Sequence, residues 1–302
     1  MSRTLVVPCP VCGGSPSRHW ARVQRWSIVR CTRCGLLITW PRPDPGTLER
    51  LYGDEIYYDD RAMGAPAKAA WLERAAGMLQ ELPLHPQTAV DLGAGAGHLV
   101  NAMNRLGIQA EGIEPSPAGR ALAERLYGLR LQSAVSDGLV GRFDLATLIH
   151  SLEHVEDPVA TLREAARLLA PEGRILIEVP HARTIEMLRP RRRREVLDLP
   201  AHLYHFVPET LARVAVRAGL RVMDVRLGNA DALEWALALR ERWRARSQAV
   251  PTESLAEAPL DGGGQPLAGA GACRSLWRSR ILPWMRGRFP GWQFRMVLKS
   301  SS

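Results

Sequence analysis

The stretch Thr88–Val100, "TAVDLGAGAGHLV", decides the fold. Ala89–Leu92 reads as a short apolar strand with Asp91 near its end. Gly93, Gly95 and Gly97 follow, spaced two apart, and a helix is expected from His98 to Leu106. A strand that enters a helix through such a bend brings main-chain atoms against a ligand, where a β-carbon would clash.

Outward from this bend, strands and helices alternate. Strands are expected at Gln109–Ile113, Leu129–Ser133, Phe143–Ile149, Arg174–Val179 and Arg221–Leu227, with a last one in "WQFRMVLKS". Helices are expected at Ser116–Tyr127, Pro158–Leu169 and Pro208–Ala218. Buried apolar strands alternating with helices imply an α/β fold, a Rossmann-like, seven-stranded, mostly parallel sheet.

Two ligand classes use a glycine bend of this kind, dinucleotides and S-adenosylmethionine. The dinucleotide pattern places glycines at its first, third and sixth positions, and the sixth position here is His98. An acid, Glu114 in "GIEPSP", stands twenty-one residues after Gly93. An ionised carboxylate offers only acceptors, which suits the two hydroxyls of a ribose. The bland alternative is a set of glycines that only shapes a turn.

The N-terminus carries a second signal. Four of the five cysteines lie in the first 34 residues, as Cys9 and Cys12, then Cys31 and Cys34. Two Cys-x-x-Cys knuckles grip a tetrahedral ion from two sides. Gly13 and Gly35 allow the tight turns, and "RHWARVQRWSIVRC" between them reads as a β-hairpin. This is a zinc ribbon, and four thiolates leave no open coordination position, so Zn2+ is expected to be structural.

The expected organisation is therefore a ribbon at 1–42, a helical lid or linker at 43–85 and a cofactor-binding domain at 86–302. Within that domain, about 229–288 reads as a helical and flexible insertion, rich in Gly, Pro and Ala. No apolar run of transmembrane length occurs, and the first residues lack a signal peptide's hydrophobic region, so a cytoplasmic protein is expected. The formal charge is +9, and all basic residues but Lys68 and Lys299 are arginine. That favours anionic partners, although an arginine-rich composition has a bland origin in a GC-rich genome.

The motifs "VDLGAGAGHLV", "GIEPSP", "FDLATLIHSLEHVEDP" and "LAPEGRILIEVPH" stand in an order that resembles the class I S-adenosylmethionine-dependent methyltransferases of the type 11/23 group. The resemblance implies methyl transfer from S-adenosylmethionine. It implies that Asp91, Gly93, Ala94, Gly95 and Gly97 cradle the methionine part. Glu114 and Pro115 would then serve the ribose, and Asp137 the adenine. His150, Ser151 and His154, after the fourth strand, would complete the cofactor pocket. The cysteine ribbon with "HLYHFVPETL" is similar to bacterial methyltransferases of sugar, polysaccharide and natural-product biosynthesis, although the further C-terminal domain of the sugar C-methyltransferases is missing.

The acceptor side is expected at the carboxyl ends of the strands. His202 and His205 are the candidate general bases, since histidine takes up a proton near neutral pH. Tyr57 and Tyr58 are candidate lid residues over the substrate. Arg183, Arg189 and Arg191–Arg194 crowd one loop, which suits a phosphate-bearing small-molecule acceptor. Two other readings stay open. One is an RNA methyltransferase that grips its substrate with the ribbon and the arginine loop; "HSLEHV" stands where base-amine methyltransferases carry an "NPPY"-type motif. The other is a non-catalytic module that binds S-adenosylmethionine without turnover. The residues leave the acceptor atom and the oligomeric state undecided.

Overall fold

β1 (Thr4–Val6), β2 (Pro16–Val23), β3 (Trp26–Cys31) and β4 (Leu37–Trp40) pair in sequence as an antiparallel sheet. The expected hairpin is β2–β3, with Val23 opposite Trp26 and a bulge between His19 and Ala21. This is a computed structural model that describes residues 4–53, 65–183, 197–227 and 293–301, apart from 7, 15 and 24. The chain divides into two units, Met1–Arg226 with Phe294–Ser302, and Leu227–Gln293. The described elements belong to the first unit and its border. Tyr57, Tyr58, Arg189, Arg191–Arg194 and the insertion at 229–288 lie outside the described residues.

Two helices follow the ribbon. α1 (Pro45–Gly53) starts at Asp44, whose carboxylate accepts from the Thr47 N–H at 2.9 Å and the Thr47 hydroxyl at 2.6 Å. Such caps satisfy donors that the first helical turn leaves unpaired. α2 (Ala65–Gln80) packs Ala75 and Met78 against Leu99, Ala102 and Met103.

The second sheet comes next: β5 (Thr88–Leu92), α3 (His98–Arg105), β6 (Gln109–Ile113), α4 (Pro117–Tyr127), β7 (Phe143–Ile149), α5 (Pro158–Leu168) and β8 (Leu169–Pro180). Then follow the two-residue β9 (Tyr204–His205), α6 (Pro208–Arg217), β10 (Leu220–Leu227) and β11 (Gln293–Ser300). The strand order is β10-β11-β8-β7-β5-β6, and the pairs β6–β5, β5–β7 and β7–β8 are parallel. The apolar run of β7 is buried almost throughout, as expected for a strand with helices on both faces.

The sheet has six strands among the described residues, where seven were expected. The expected strand Leu129–Ser133 contributes only an isolated bridge, Gln132 beside Ile113. The Gln132 N–H reaches the Gly112 carbonyl at 2.9 Å, and the Glu114 N–H reaches the Gln132 carbonyl at 2.8 Å. The segment leaves α4 at Gly128 and turns away after Gln132, so too few residues lie along β6 to form a ladder. β8 is longer than expected. Its register jumps from Phe143–Leu169 to Leu145–Arg174, so the "PEG" turn is a bulge inside the strand.

β9 does not join this sheet. It adds to the ribbon, pairing antiparallel with β4 through Leu37–His205 and Ile38–Tyr204. One apolar cluster joins Val11, Val29 and Ile38 of the ribbon to Leu203, Phe206, Leu211 and Leu148. No helix among the described residues is long and apolar enough to cross a membrane.

Candidate functional site

The bend after β5 is held by the neighbouring strand. The N–H groups of Gly93 and Ala94 both donate to the Ile113 carbonyl, at 2.8 and 3.0 Å. Gly93 has φ +78°, and a β-carbon there would stand 2.6 Å from the Ser151 Cβ. Glycine is therefore required by both conformation and space. Ser151, from the turn after β7, has a buried hydroxyl oxygen without a hydrogen-bond partner among the described residues.

Glu114 closes the bend from the tip of β6. Its Oε2 accepts from the Gly95 N–H at 2.7 Å, and its Oε1 accepts from the Ser116 N–H at 2.8 Å. Each oxygen keeps a lone pair for another donor. Ser116 caps α4 by accepting from the Gly119 N–H, and its hydroxyl donates to the Tyr52 carbonyl at 2.7 Å. Pro115 is exposed beside them. Asp91 is buried and accepts from the Thr147 hydroxyl at 2.7 Å. Burial, with the nearby Glu114 charge, pushes the Asp91 carboxyl up to about 7, against the Thr147 hydrogen bond. Asp137 sits on an exposed 3-10 turn and pairs with Arg167 at 3.5 Å; among the described residues no hydrogen bond ties it to the glycine bend.

On the other side of the strand tips lies an acid–base cluster. His150 follows β7 with φ +52°, its Nδ1 3.5 Å from Glu153 Oε1 and its Nε2 3.3 Å from Glu178 Oε1. Burial works against the imidazolium, but Glu153 and Glu178 outweigh it and raise its pKa to about 9. Glu178 lies on β8 and is wholly buried. Burial pushes it up, yet His150, Arg74 and Arg295 hold it down to about 2. Arg74 of α2 hydrogen-bonds its Oε1, and the Arg295 Nε of β11 donates to its Oε2 at 2.5 Å. Sequence reasoning missed this network and Tyr52. Its one local signal is a lone acid in the apolar run "RILIEV", since a buried charge needs partners.

A row of imidazoles leads away from the cluster. His154 places Nδ1 3.0 Å from the Tyr52 hydroxyl and 3.2 Å from the Ala201 carbonyl. The His154 and His202 rings lie 4.7 Å apart, and those of His202 and His205 6.2 Å apart. His202 is buried, with Nε2 3.9 Å from both Glu153 and Asp198. Burial, then His154 and His205, hold it well below its ordinary value. His205 is pushed down to about 3 by burial and by His154. Thr39 donates its only hydroxyl proton to the His202 carbonyl at 2.6 Å, so His205 Nε2, 3.1 Å from the same oxygen, carries a proton and donates it. His205 is thereby committed to holding the loop.

That loop is fastened from both sides. The Leu203 N–H donates to the Glu153 carbonyl at 2.8 Å, and the Thr39 N–H donates to the Leu203 carbonyl at 3.0 Å. The Tyr204 hydroxyl donates to the Glu156 carbonyl at 2.6 Å, and Arg42 stacks 4.4 Å above its ring. The ribbon's last strand thus places the histidine loop against the turn after β7.

The four cysteines of the ribbon converge, in one apolar cluster with Leu203 and Phe206. Cys9 Sγ lies 3.5 Å from Cys34 Sγ, and Cys12 Sγ 3.6 Å from Cys31 Sγ. The knuckles repeat one hydrogen-bond pattern: Gly13 N–H to Cys9 carbonyl, and Gly35 N–H to Cys31 carbonyl. Backbone N–H groups of Val11 and Cys12 aim at the Cys9 sulfur, and those of Arg33 and Cys34 at the Cys31 sulfur.

Comparison with known proteins adds the following. Residues 64–225 match the profile of a methyltransferase domain. Over 176 residues the chain is 29% identical to the ubiquinone biosynthesis O-methyltransferase of Pseudomonas paraeruginosa, a match spanning 53% of this chain and 73% of that one. The protein of that name from Xanthomonas oryzae pv. oryzae is 30% identical over 181 residues, or 55% of this chain and 72% of its own. A solved S-adenosylmethionine-dependent methyltransferase of Leishmania major covers 84% of this chain, and 82% of itself, with a TM-score of 0.50 at 14% identity. That last likeness is one of fold.

Proposed function

The chain belongs to the family of S-adenosylmethionine-dependent methyltransferase domains, and we propose that it methylates a small-molecule acceptor, a sugar, polysaccharide precursor or secondary metabolite. The observation that carries this reading is Glu114 held across the glycine bend by the Gly95 and Ser116 N–H groups. The residues fit the cofactor on two counts. A β-carbon at Gly93 would collide with Ser151, so the bend stays bare main chain on that side, and the Ser151 hydroxyl beside it is a buried polar atom with no partner among the described residues.

In this reading Gly93, Ala94, Gly95 and Gly97 receive the methionine part, and Glu114 and Pro115 border the ribose. Asp91 supports the bend from below. S-adenosylmethionine supplies a methyl group on a sulfonium, which a nucleophile displaces in line. The chain's own task is to orient the acceptor and keep water out. His150, Ser151 and His154 stand at the strand tips between the cofactor bend and the acceptor side. The relatives' name points to oxygen as the acceptor atom, and His154, the half-buried head of the histidine row, is the group that would meet it. Asp137, exposed and paired with Arg167, serves the adenine only from the rim.

The ribbon is read as a structural Zn2+ site of Cys9, Cys12, Cys31 and Cys34. Bonds of about 2.3 Å to a tetrahedral zinc put two sulfurs about 3.8 Å apart, near the 3.5 and 3.6 Å seen here. Its role is to keep β4 in place as the partner of β9.

Titration calorimetry with S-adenosylmethionine, followed by mass spectrometry of acceptors incubated with enzyme and cofactor, tests the reading. Saturable binding and a gain of one methyl group on a small acceptor are expected. Absence of cofactor binding overturns it. Methyl transfer to RNA alone would replace the acceptor class.

A further inference from the structure

From the juxtaposition of Glu153, His154 and His202 we infer a second metal site, distinct from the cysteine cluster, that takes a divalent transition-metal ion. The potential ligand atoms of these three residues all lie within 4.8 Å of one another. Glu153 and His154 come from the turn after β7. His202 comes from the loop that the Glu153 carbonyl itself anchors, through the Leu203 N–H at 2.8 Å. The site is therefore assembled before any ion arrives.

The independent sign is Glu153. Its side chain is 1% exposed, and among the described residues neither carboxylate oxygen has a well-formed hydrogen bond. A buried carboxylate is costly unless its lone pairs are served. His150 stands 3.5 Å from Oε1 as its ion-pair partner, at the outer limit of a hydrogen bond. Glu178 also faces His150, at 3.3 Å, and keeps that imidazolium paired when Glu153 turns to an ion.

The two histidines are arranged as ligands are. The Ala201 carbonyl, 3.2 Å from His154 Nδ1, can only accept, so that contact places a proton on Nδ1 and leaves the Nε2 lone pair bare. A second nitrogen donating to a carbonyl is the usual support of a metal-bound imidazole. Tyr52 braces the same nitrogen at 3.0 Å. The His202 Nε2 is 3.9 Å from Glu153 Oε1, beyond a hydrogen bond. Ligands bound at about 2.0–2.2 Å to one tetrahedral ion stand about 3.4 Å apart, so the three groups, now within 4.8 Å of one another, close in on the ion when it binds.

Two nitrogens and one carboxylate favour Zn2+, Fe2+, Co2+ or Ni2+ over Mg2+ or Ca2+. Three protein ligands leave a position open. Given the methyl-transfer reading, that position would hold an oxygen of the acceptor and so favour acceptors with a hydroxyl or carbonyl group. The metal site itself does not depend on that reading.

The full chain, stripped with a chelator, is titrated with Co2+ and with Zn2+ and dialysed. Bound metal is counted by mass spectrometry, and S-adenosylmethionine affinity is measured by calorimetry on the same samples. The wild type is expected to hold a second ion beyond the one at the cysteines, its Co2+ spectrum adding weak d–d bands to the thiolate charge-transfer band. Glu153→Gln, nearly isosteric, and His202→Ala should each lose that second ion and retain S-adenosylmethionine binding. A wild type that holds only the thiolate-bound ion overturns the inference, as does a second ion that survives both substitutions. A protein that binds the second ion but not S-adenosylmethionine would instead overturn the proposed function.

Discussion

Thr39 and His205 meet at 3.1 Å although 166 positions separate them. The contact joins the ribbon's last strand to the loop that faces the turn after β7. Thr39 serves two buried groups, the His202 carbonyl and the His205 imidazole. Thr39→Val keeps the shape and removes both hydrogen bonds. Unserved buried groups cost about 1–3 kcal/mol each, so the urea midpoint should fall, and kcat with it. S-adenosylmethionine affinity should stay unchanged, because the glycine bend lies on another element. Thr39→Ser should recover most of the loss. A Val variant with wild-type stability would show that the loop does not depend on the ribbon.

Gly93 and Ser151 give a second prediction. Gly93→Ala forces a left-handed φ on an L-residue, at about 1–2 kcal/mol, and drives its β-carbon into Ser151. Overpacking adds about 1–3 kcal/mol. Adding Ser151→Gly should return the second part and leave the first. Urea unfolding of the two single variants and the double variant checks this. If the double variant is no better than Gly93→Ala alone, the crowding at Ser151 is not the cause.

The strands Gln109–Ile113 and Phe143–Ile149 were legible residue for residue, because each is an uninterrupted pairing segment bounded by turn residues. The cysteine knuckles were legible because metal-ligand spacing is local. The expected strand Leu129–Ser133 failed for a reason local pattern does not carry: an edge strand forms only along as much neighbour as the chain follows. Tyr204–His205 as the ribbon's fifth strand was illegible for the same reason, since pairing with β4 is a property of the fold. The network of Arg74, Glu178 and Arg295 joins three distant segments, and only the isolated acid in "RILIEV" hinted at it. His205 could be recognised as chemically able, but its commitment to Thr39 became visible only once β4 lay beside it.

Glu114 is proposed to hold a ribose while its two oxygens already accept from Gly95 and Ser116. Glu114→Gln keeps the size but replaces one acceptor with a donor. That nitrogen would face an N–H group whichever way the amide turns. A hydrogen bond to a charged group contributes about 1.5–3 kcal/mol, so S-adenosylmethionine affinity should fall about 10–100-fold. Calorimetry measures it directly, with S-adenosylhomocysteine as the control. Both ligands share the ribose and should weaken alike. A loss confined to S-adenosylmethionine would place Glu114 near the sulfonium and not the sugar.

Two buried acids give opposite slopes of stability with pH. Glu178 is held at about 2 in the fold, against burial, by His150, Arg74 and Arg295, from an ordinary value of 4.5. Its pairing therefore stabilises fully above pH 4.5 and is lost as the pH falls through 2. Glu178→Gln leaves two guanidinium groups facing a neutral amide, and breaking a buried pair costs about 3–5 kcal/mol. The gap between wild type and variant should be widest near neutral pH and narrow steadily below pH 4.5. Asp91 is raised by burial from 3.8 to about 7. The fold keeps its proton while the unfolded chain releases it, so this group costs stability progressively as the pH rises from 3.8 to 7. Asp91→Asn should gain on the wild type over that interval and hold a constant lead above it. Urea midpoints at a series of pH values read both slopes. A gap for Glu178→Gln that widens on acidification, or an Asp91→Asn variant that tracks the wild type, would refute the corresponding assignment.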